Sequence, residues 1–238
     1  MKKLIILRNR KPMNKMPDYS FENQAKKNGY KVVCGIDEAG RGPWAGPVIA
    51  AAVVLDPALL SDDLLCQLDD SKKIKSKQRK AIFDKIKSKV IYGIGQASVE
   101  EIDNINILQA TFLAMRRALR ALNVVPDYAL IDGNKLPGLI CTSEAIVKGD
   151  GKSYTIAAAS IIAKVTRDSD MAILSRQFPG YGWERNAGYG TKEHQVALLS
   201  LGVTSAHRKS YAPIRKILGQ EGCKLPHMVL EIFPKSLI

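Results

Sequence analysis

Cysteine is scarce in this sequence and never occurs in a chelating pattern. Cys34, Cys66, Cys141 and Cys223 stand among 238 residues, and no two form a Cys-x-x-Cys unit. That spacing gives neither a zinc site nor a disulfide framework. Cys34 and Cys141 fall in apolar, strand-like runs, where cysteine packs as a small hydrophobe. Histidine is scarcer still. His194, His207 and His227 show no ligand spacing and read as packing or surface residues. Long apolar runs are missing too. The longest, Ala45 to Leu55, is broken by glycine and proline and falls well short of the roughly 20 residues that span a bilayer. The first residues, Met1 to Leu7, offer a basic head but only four apolar residues, fewer than the about 7 of a secretory signal. Repeats and low-complexity linkers are absent. These absences lead us to expect a cytoplasmic protein without a membrane partner. With 46% apolar residues, the chain is long enough for one domain with short additions.

What the sequence does have is positive charge, unevenly placed. The net charge is +13. Residues 1–30 hold eight Lys/Arg against two acids, residues 72–89 nine against one, and residues 205–238 six against two. The rest is therefore mildly acidic. A basic rim around an acidic body suits a metal-dependent enzyme acting on a polyanion. A generic basic soluble protein accounts for the charge alone.

The densest stretch runs from Ile36 to Pro47. An apolar run, Tyr30 to Ile36, reads as a buried strand and is followed by Asp37 and Glu38, then by Gly40-Arg41-Gly42. A second strand, Val48 to Leu55, completes a hairpin. Adjacent acids on a regular strand point to opposite faces. For both to reach one ion the backbone must bend, and Gly40 and Gly42 permit a bend. Further on, residues 56–70 read as a loop with a short helix, Ser76–Lys89 as a helix burying Ile82, Phe83 and Ile86, and Val90–Val99 as a strand. Val99–Asn123 reads as a longer helix, with Ile102, Ile105, Leu108, Phe112, Met115 and Leu119 at helical spacing. Ser98 and Glu101 form a capping box at its start. Tyr128–Asp132 and Leu139–Val147 are strands, and Ser153–Gln177 is a helix with a face of small residues. Thr191–Leu201 and Ala206–Leu218 close the pattern as helices. The order β-β-α-β-α-β-β-α-α-α indicates an α/β domain with a mixed central sheet. Its expected limits are 30–218, after a mobile basic arm (1–29) and before a tail (219–238).

Acids recur beside glycine where strands end: Asp37-Glu38, Asp132-Gly133, and Gly149-Asp150-Gly151. Each aspartate alone also suits an ordinary turn. Gathered together, Asp37, Glu38, Asp132 and Asp150 would repel one another unless a cation neutralised them. All-oxygen ligands favour Mg²⁺ or Mn²⁺ over zinc. Asp168 competes for the fourth place, but a mid-helix acid beside Arg167 suits a salt bridge better. Gly149 to Ser153 resembles the end of a P-loop, yet Ile146 stands where that motif needs glycine. A binding module without chemistry explains the charge but not the repeated acids.

Asp-Glu-Ala-Gly-Arg-Gly between two strands resembles the signature of the ribonuclease HII family, the type 2 ribonucleases H. The resemblance runs from about Lys31 to Pro213. It extends through Asp70-Ser71-Lys72-Lys73, Ile131-Asp132-Gly133, Val147 to Asp150, Ala157 to Asp168, and Gly188-Tyr189-Gly190-Thr191-Lys192-Glu193-His194. It implies a ribonuclease H-like fold and an endoribonuclease. Such an enzyme hydrolyses the RNA strand of RNA–DNA hybrids and nicks duplex DNA 5′ of embedded ribonucleotides, by two metal ions, leaving a 5′-phosphate and a 3′-hydroxyl. It implies that Asp37, Glu38, Asp132 and Asp150 bind the metal (Mn²⁺ or Mg²⁺) and carry catalysis. Gly40, Arg41 and Gly42 would read the ribonucleotide's 2′-hydroxyl, and Tyr189 would pack on the neighbouring deoxyribose. Lys192, Arg208, Lys209 and the lysines of 72–89 are candidate phosphate contacts. We expect a monomer. The sister type, ribonuclease HIII, carries a larger N-terminal domain than the roughly 30 residues preceding the first strand here, and Arg41 also favours type HII.

Overall fold

The computed structural model describes residues 16–68, 71 and 74–219. Five strands form one sheet: β1 (Val33–Ala39), β2 (Val48–Val54), β3 (Ile91–Ala97), β4 (Tyr128–Asp132) and β5 (Thr142–Ile146), in the order β3-β2-β1-β4-β5. β1 pairs antiparallel with β2, and β2 with β3; β1–β4 and β4–β5 are parallel. The sheet is therefore mixed, as the element order implies.

Two long helices cover its faces. Helix α5 (Tyr154–Gln177) presents Ala157, Ala158, Ala159 and Ala163 to Ala51 and Val53 of β2, and α3 (Ser76–Ile86) adds Ile82 and Ile86 to the same cluster. Small residues let the helix lie close on the strands. On the opposite face, α4 (Val99–Arg120) packs Ala110, Ala114, Met115 and Ala118 against Cys34, Ile36, Ala50 and Ala52. β2, central and covered on both sides, is buried from Val48 through Val53.

Shorter helices are α1 (Ser20–Lys27), α2 (Asp62–Leu65), α6 (Trp183–Asn186), α7 (Lys192–Leu201) and α8 (Ala212–Leu218). The segment from Trp183 to Leu218 forms a separate aromatic cluster with Tyr181, Met171 and Ala45.

Three expectations need correction. Within the arm expected to be mobile, residues 20–27 form α1, which buries Glu22 and Ala25 and packs Phe21 beside Val33, Leu130 and Ile156. Eight residues with two buried positions are too short a sample for periodicity to show. α4 is not one continuous helix. Asn106 interrupts it at φ 67°, and its side chain accepts from the N–H groups of Leu108 and Gln109, capping a second helical segment. The break rotates the buried stripe to Ala110, Thr111, Ala114, Met115 and Ala118, so Ile105 is exposed. Finally, α8 starts at Ala212 rather than Ala206, because residues 206–208 are spent on buried contacts described below. Asp70, Lys72, Lys73, Cys223, His227, the first 15 residues and the tail beyond Gly219 lie outside the described residues.

Candidate active site

Parallel pairing brings the acids together. Ile36 of β1 lies beside Ile131 of β4, so Asp37 and Asp132 come next on neighbouring strands. After β5 the chain turns through Lys148 at φ 56° into a single 3-10 turn, Gly149–Gly151, which carries Asp150. Asp132 Oδ1 accepts the Gly149 N–H at 2.7 Å and ties that turn to the end of β4. One carboxylate oxygen from each of Asp37, Asp132 and Asp150 falls within 4.8 Å of the others.

Asp37 and Asp150 are buried, and Asp132 is partly exposed. Burial pushes the Asp37 carboxyl well above the usual carboxylate range, and the charges of Glu38, Asp132 and Asp150 push in the same direction. The Glu38 N–H, donating to Asp37 Oδ1, opposes them only in part. The donor set is hard oxygen throughout, with no nitrogen or sulfur. It fits a divalent cation such as Mg²⁺ or Mn²⁺, which would replace the proton that burial now favours.

β1 does not bend at its acids. Pairing with β2 is regular through Ala39, with Asp37 opposite Ala51 and Glu38 opposite Ala50. Ala51 belongs to the α5 face and Ala50 to the α4 face, so the two acids point to opposite sides of the sheet. Glu38 stands outside the tight group of three. It pairs with Arg41 at 3.2 Å and lines an open cleft of roughly 140 Å³ with Asp132, Gly133 and Lys135.

The bend comes after the strand, and two buried arginines hold it. Gly40 has φ 99°, and a Cβ there would overlap the Arg167 side chain. Arg167 donates to the carbonyls of Pro47, Ala187 and Ala45. Arg208 donates to the carbonyls of Gly40, Arg41, Gly46 and Pro47 and to the Tyr211 hydroxyl. Arg208 is thus an internal clamp on the loop between β1 and β2, not a phosphate contact, because it is fully buried. Arg79 is likewise buried, donating to Ser71 and Ile74 carbonyls and pairing with Asp168 at 3.1 Å. Asp168 also pairs with Lys164, which makes it a structural acid rather than a fourth member of the site. Lys192 and Lys209 are exposed. The roles of Arg167 and Arg208 left no local signal in the sequence, since their partners are backbone carbonyls far along the chain.

Tyr189 is 47% exposed, and its ring lies against Gly42, where an added Cβ would stand 3.3 Å away. A chain of neutral histidines holds its backbone. The Thr204 N–H donates to His207 Nδ1, so the His207 proton sits on Nε2. That proton is donated to His194 Nε2 at 3.0 Å, which leaves His194 to donate from Nδ1 to the Tyr189 carbonyl at 2.9 Å. The Trp183 indole N–H also donates to His194 Nε2. Burial lowers the pKa of both histidines, that of His207 to about 3, with His194 adding to the effect. Both are packing residues, as their spacing suggested.

Comparison with known proteins bears on this arrangement directly. The family model described as ribonuclease HII matches residues 34–214. Ribonuclease HII of Ruegeria pomeroyi is 54% identical over 206 residues, covering 86% of each chain. Among solved structures, the ribonuclease H2 of Pyrococcus horikoshii superposes with a TM-score of 0.68 at 27% identity, over 82% of this chain and all of that one. A Bst ribonuclease HIII solved in complex with Mn²⁺ shares the fold, with a TM-score of 0.66 at 20% identity over 79% of this chain and 69% of that one. A match of that extent, spanning all five strands and the three converging aspartates, means that the chain belongs to the ribonuclease HII family of metal-dependent nucleases, which hydrolyse phosphodiester bonds.

Proposed function

We propose that this nuclease cuts the RNA strand of RNA–DNA hybrids and nicks duplex DNA on the 5′ side of embedded ribonucleotides, leaving a 5′-phosphate and a 3′-hydroxyl. The observation that carries the reading is the convergence of Asp37, Asp132 and Asp150 within 4.8 Å, with Asp37 destabilised as an anion. These three would hold a divalent ion, and Glu38, beside Asp132 in the cleft, would serve a second. When bound, such ions supply a water nucleophile and offset charge on the attacking and leaving oxygens.

The remaining work belongs to the chain itself. Asp37 would ligate as the carboxylate, so ion binding would work against the burial that favours its neutral form. Gly149, donating to Asp132, fixes the carboxylate that joins the cluster to the cleft. Arg208 holds the Gly40 and Arg41 carbonyls from beneath and Arg167 lies against Gly40, so the remaining backbone groups of the loop from Gly40 to Gly42 would meet a sugar without moving. A 2′-hydroxyl both donates and accepts hydrogen bonds, which the loop's backbone amides and a carbonyl outside the arginine clamp can match. Gly42 leaves room beside the Tyr189 ring, which would pack on the deoxyribose next to the ribonucleotide. Arg41, half exposed, would meet a phosphate, and Lys192 and Lys209 would steer the duplex. The protein is proposed to work as a cytoplasmic monomer.

The test is a labelled DNA duplex containing one ribonucleotide, incubated with Mg²⁺, Mn²⁺ or EDTA. Nicking just 5′ of the ribonucleotide, abolished by EDTA, is expected. Cleavage confined to long hybrids would remove the assigned roles of Gly40–Gly42 and Tyr189. Binding without cleavage under both metals would overturn the metal-site reading.

A further inference from the structure

Among the described residues, one carboxylate outside the acidic cluster is buried without obvious need. Glu22 lies on α1 and is fully buried, yet it belongs to none of the strand-end acids. Its Oε1 accepts three hydrogen bonds: from Ser153 Oγ at 2.6 Å, Thr155 Oγ1 at 2.6 Å and Thr155 N–H at 3.1 Å. Its Oε2 is buried with no partner among the described residues. A carboxylate is costly to bury in this way, and capping α5 does not require it. Ser153 already caps that helix, accepting from the Ile156 N–H.

What Glu22 grips is the segment that follows Asp150. Ser153 and Lys152 both donate their N–H groups to the Gly149 carbonyl, and Gly149 donates to Asp132. The backbone beside Glu22 grips the same segment. The Asp18 N–H donates to the Lys152 carbonyl at 3.0 Å, and the Tyr154 N–H donates to the Asp18 carbonyl at 3.1 Å. Tyr19 anchors this strap to the body through its hydroxyl, which donates to the Leu55 carbonyl. Thr155, the other partner of Glu22, packs directly on Gly35 of β1, two residues before Asp37. The hydrogen bonds of Glu22 therefore converge on the one place where β1, the start of α5 and the Asp150 turn meet.

We propose that Glu22 is a positioning residue for the metal site: it sets the Asp150 turn against β1 and β4, and so fixes the separation of Asp150 from Asp37 and Asp132. Asp150 is carried on a single three-residue 3-10 turn entered through a left-handed Lys148, so what holds the flank of that turn bears on where its carboxylate sits. Groups bonded directly to ligands are worth about 10–100-fold in metal affinity, and Glu22, which acts one step further back through Ser153 and Thr155, takes the lower end of that range. The proposal rests on Asp150 as a ligand, and the experiment separates the two ideas.

Mn²⁺ binding is measured by electron paramagnetic resonance of the free ion, far below the melting temperature, on full-length wild-type, Glu22→Ala, Glu22→Gln, Thr155→Val and Asp150→Asn proteins. In parallel, hydrolysis of an RNA–DNA hybrid is followed as a function of Mn²⁺ concentration. Glu22→Ala is expected to weaken Mn²⁺ binding about tenfold and to shift the half-saturating Mn²⁺ concentration by the same factor, while turnover at saturation largely recovers. Glu22→Gln keeps the acceptor oxygen and should restore most of the affinity. Thr155→Val removes one donor and should weaken binding by a smaller factor, and it carries the test should Glu22→Ala fail to fold. Wild-type Mn²⁺ affinity in Glu22→Ala or in Thr155→Val, with Asp150→Asn impaired, would overturn the positioning role. Wild-type affinity in Asp150→Asn would overturn its premise.

Discussion

Two regions of this molecule bury charge, and they do so in opposite ways. Around the loop from Gly40 to Pro47, Arg167 and Arg208 are buried and close together, yet their donors are met by backbone carbonyls. Burial lowers the pKa of both, that of Arg167 to about 10, which still leaves them charged at neutral pH. A short distance away, Asp37, Asp132 and Asp150 face one another, and burial together with like charge drives Asp37 toward its neutral form. Buried charge is stable when its hydrogen bonds are complete and costly when they are not. The arginine pair is complete within the chain and is therefore architecture. The carboxylates instead crowd like charge into a buried place, where a cation from outside would offset the repulsion, and that repulsion marks the site.

The contrast predicts opposite responses to mutation. The largest effect belongs to Asp37→Asn and Asp132→Asn, which should lower hydrolysis of an RNA–DNA hybrid by several orders of magnitude. Asp37→Asn should nonetheless raise the melting temperature of the metal-free protein. A carboxyl whose folded pKa is raised contributes stability only at low pH, and that stability is lost as pH rises from about 4 through the folded value. Removing the group removes the loss at neutral pH. A metal-free Asp37→Asn protein that melts lower than wild type would erase the distinction between the two regions.

Arg208→Met should do the reverse, unfolding the protein in urea with a loss of at least about 3 kcal/mol, since several buried carbonyls lose their donor together. Arg208→Lys should not rescue it, because an ammonium lacks the planar fork that reaches carbonyls on both sides. Wild-type stability in either variant would show that the loop does not depend on the clamp.

Tyr189→Ala tests whether the clamped loop serves recognition. Its exposed ring makes little difference to folding, so melting should be unchanged. Cleavage at a single ribonucleotide should fall about tenfold more than cleavage of a continuous hybrid, the size of one lost aromatic contact. Equal losses on both substrates would detach Tyr189 from junction recognition.

The smallest effect concerns the histidines behind Tyr189. The unfolded chain protonates His207 as pH falls below 6.5, whereas the folded chain resists until about 3. Wild-type stability should therefore decline through that interval, and the melting temperature of His207→Gln should depend less on pH between neutrality and pH 4.5. An unchanged slope would mean that other groups set the acid response.

Much of the fold was legible in local pattern. The hairpin of β1 and β2, the capping box at Ser98 and Glu101, and the small-residue face of α5 each express a short-range rule, and each appears where the residues place it. The break at Asn106 was not legible, because the apolar spacing continues across it and only the side-chain cap reveals the turn. Helix α1 was too short to declare itself. Arg208 looked like a surface cation, and Glu22 drew no notice within an arm expected to be mobile, for the same reason. Apart from Tyr211, the partners of Arg208 lie 161 to 168 residues away and those of Glu22 131 to 133, beyond the reach of any window.

The sequence by itself determined which strands exist, that acids stand where they end, and, through its motifs, the family. Those properties follow from apolar periodicity and from the local chemistry of glycine beside aspartate. Only the tertiary structure decided which acids meet. Strand alternation sends Asp37 and Glu38 to opposite faces, parallel pairing sets Asp132 beside Asp37, and a turn held from α1 returns Asp150 to them. A carboxylate cluster depends on distances of a few ångströms between residues that the chain itself keeps far apart, Asp37 from Asp132 and Asp150 above all, and those distances are set by packing.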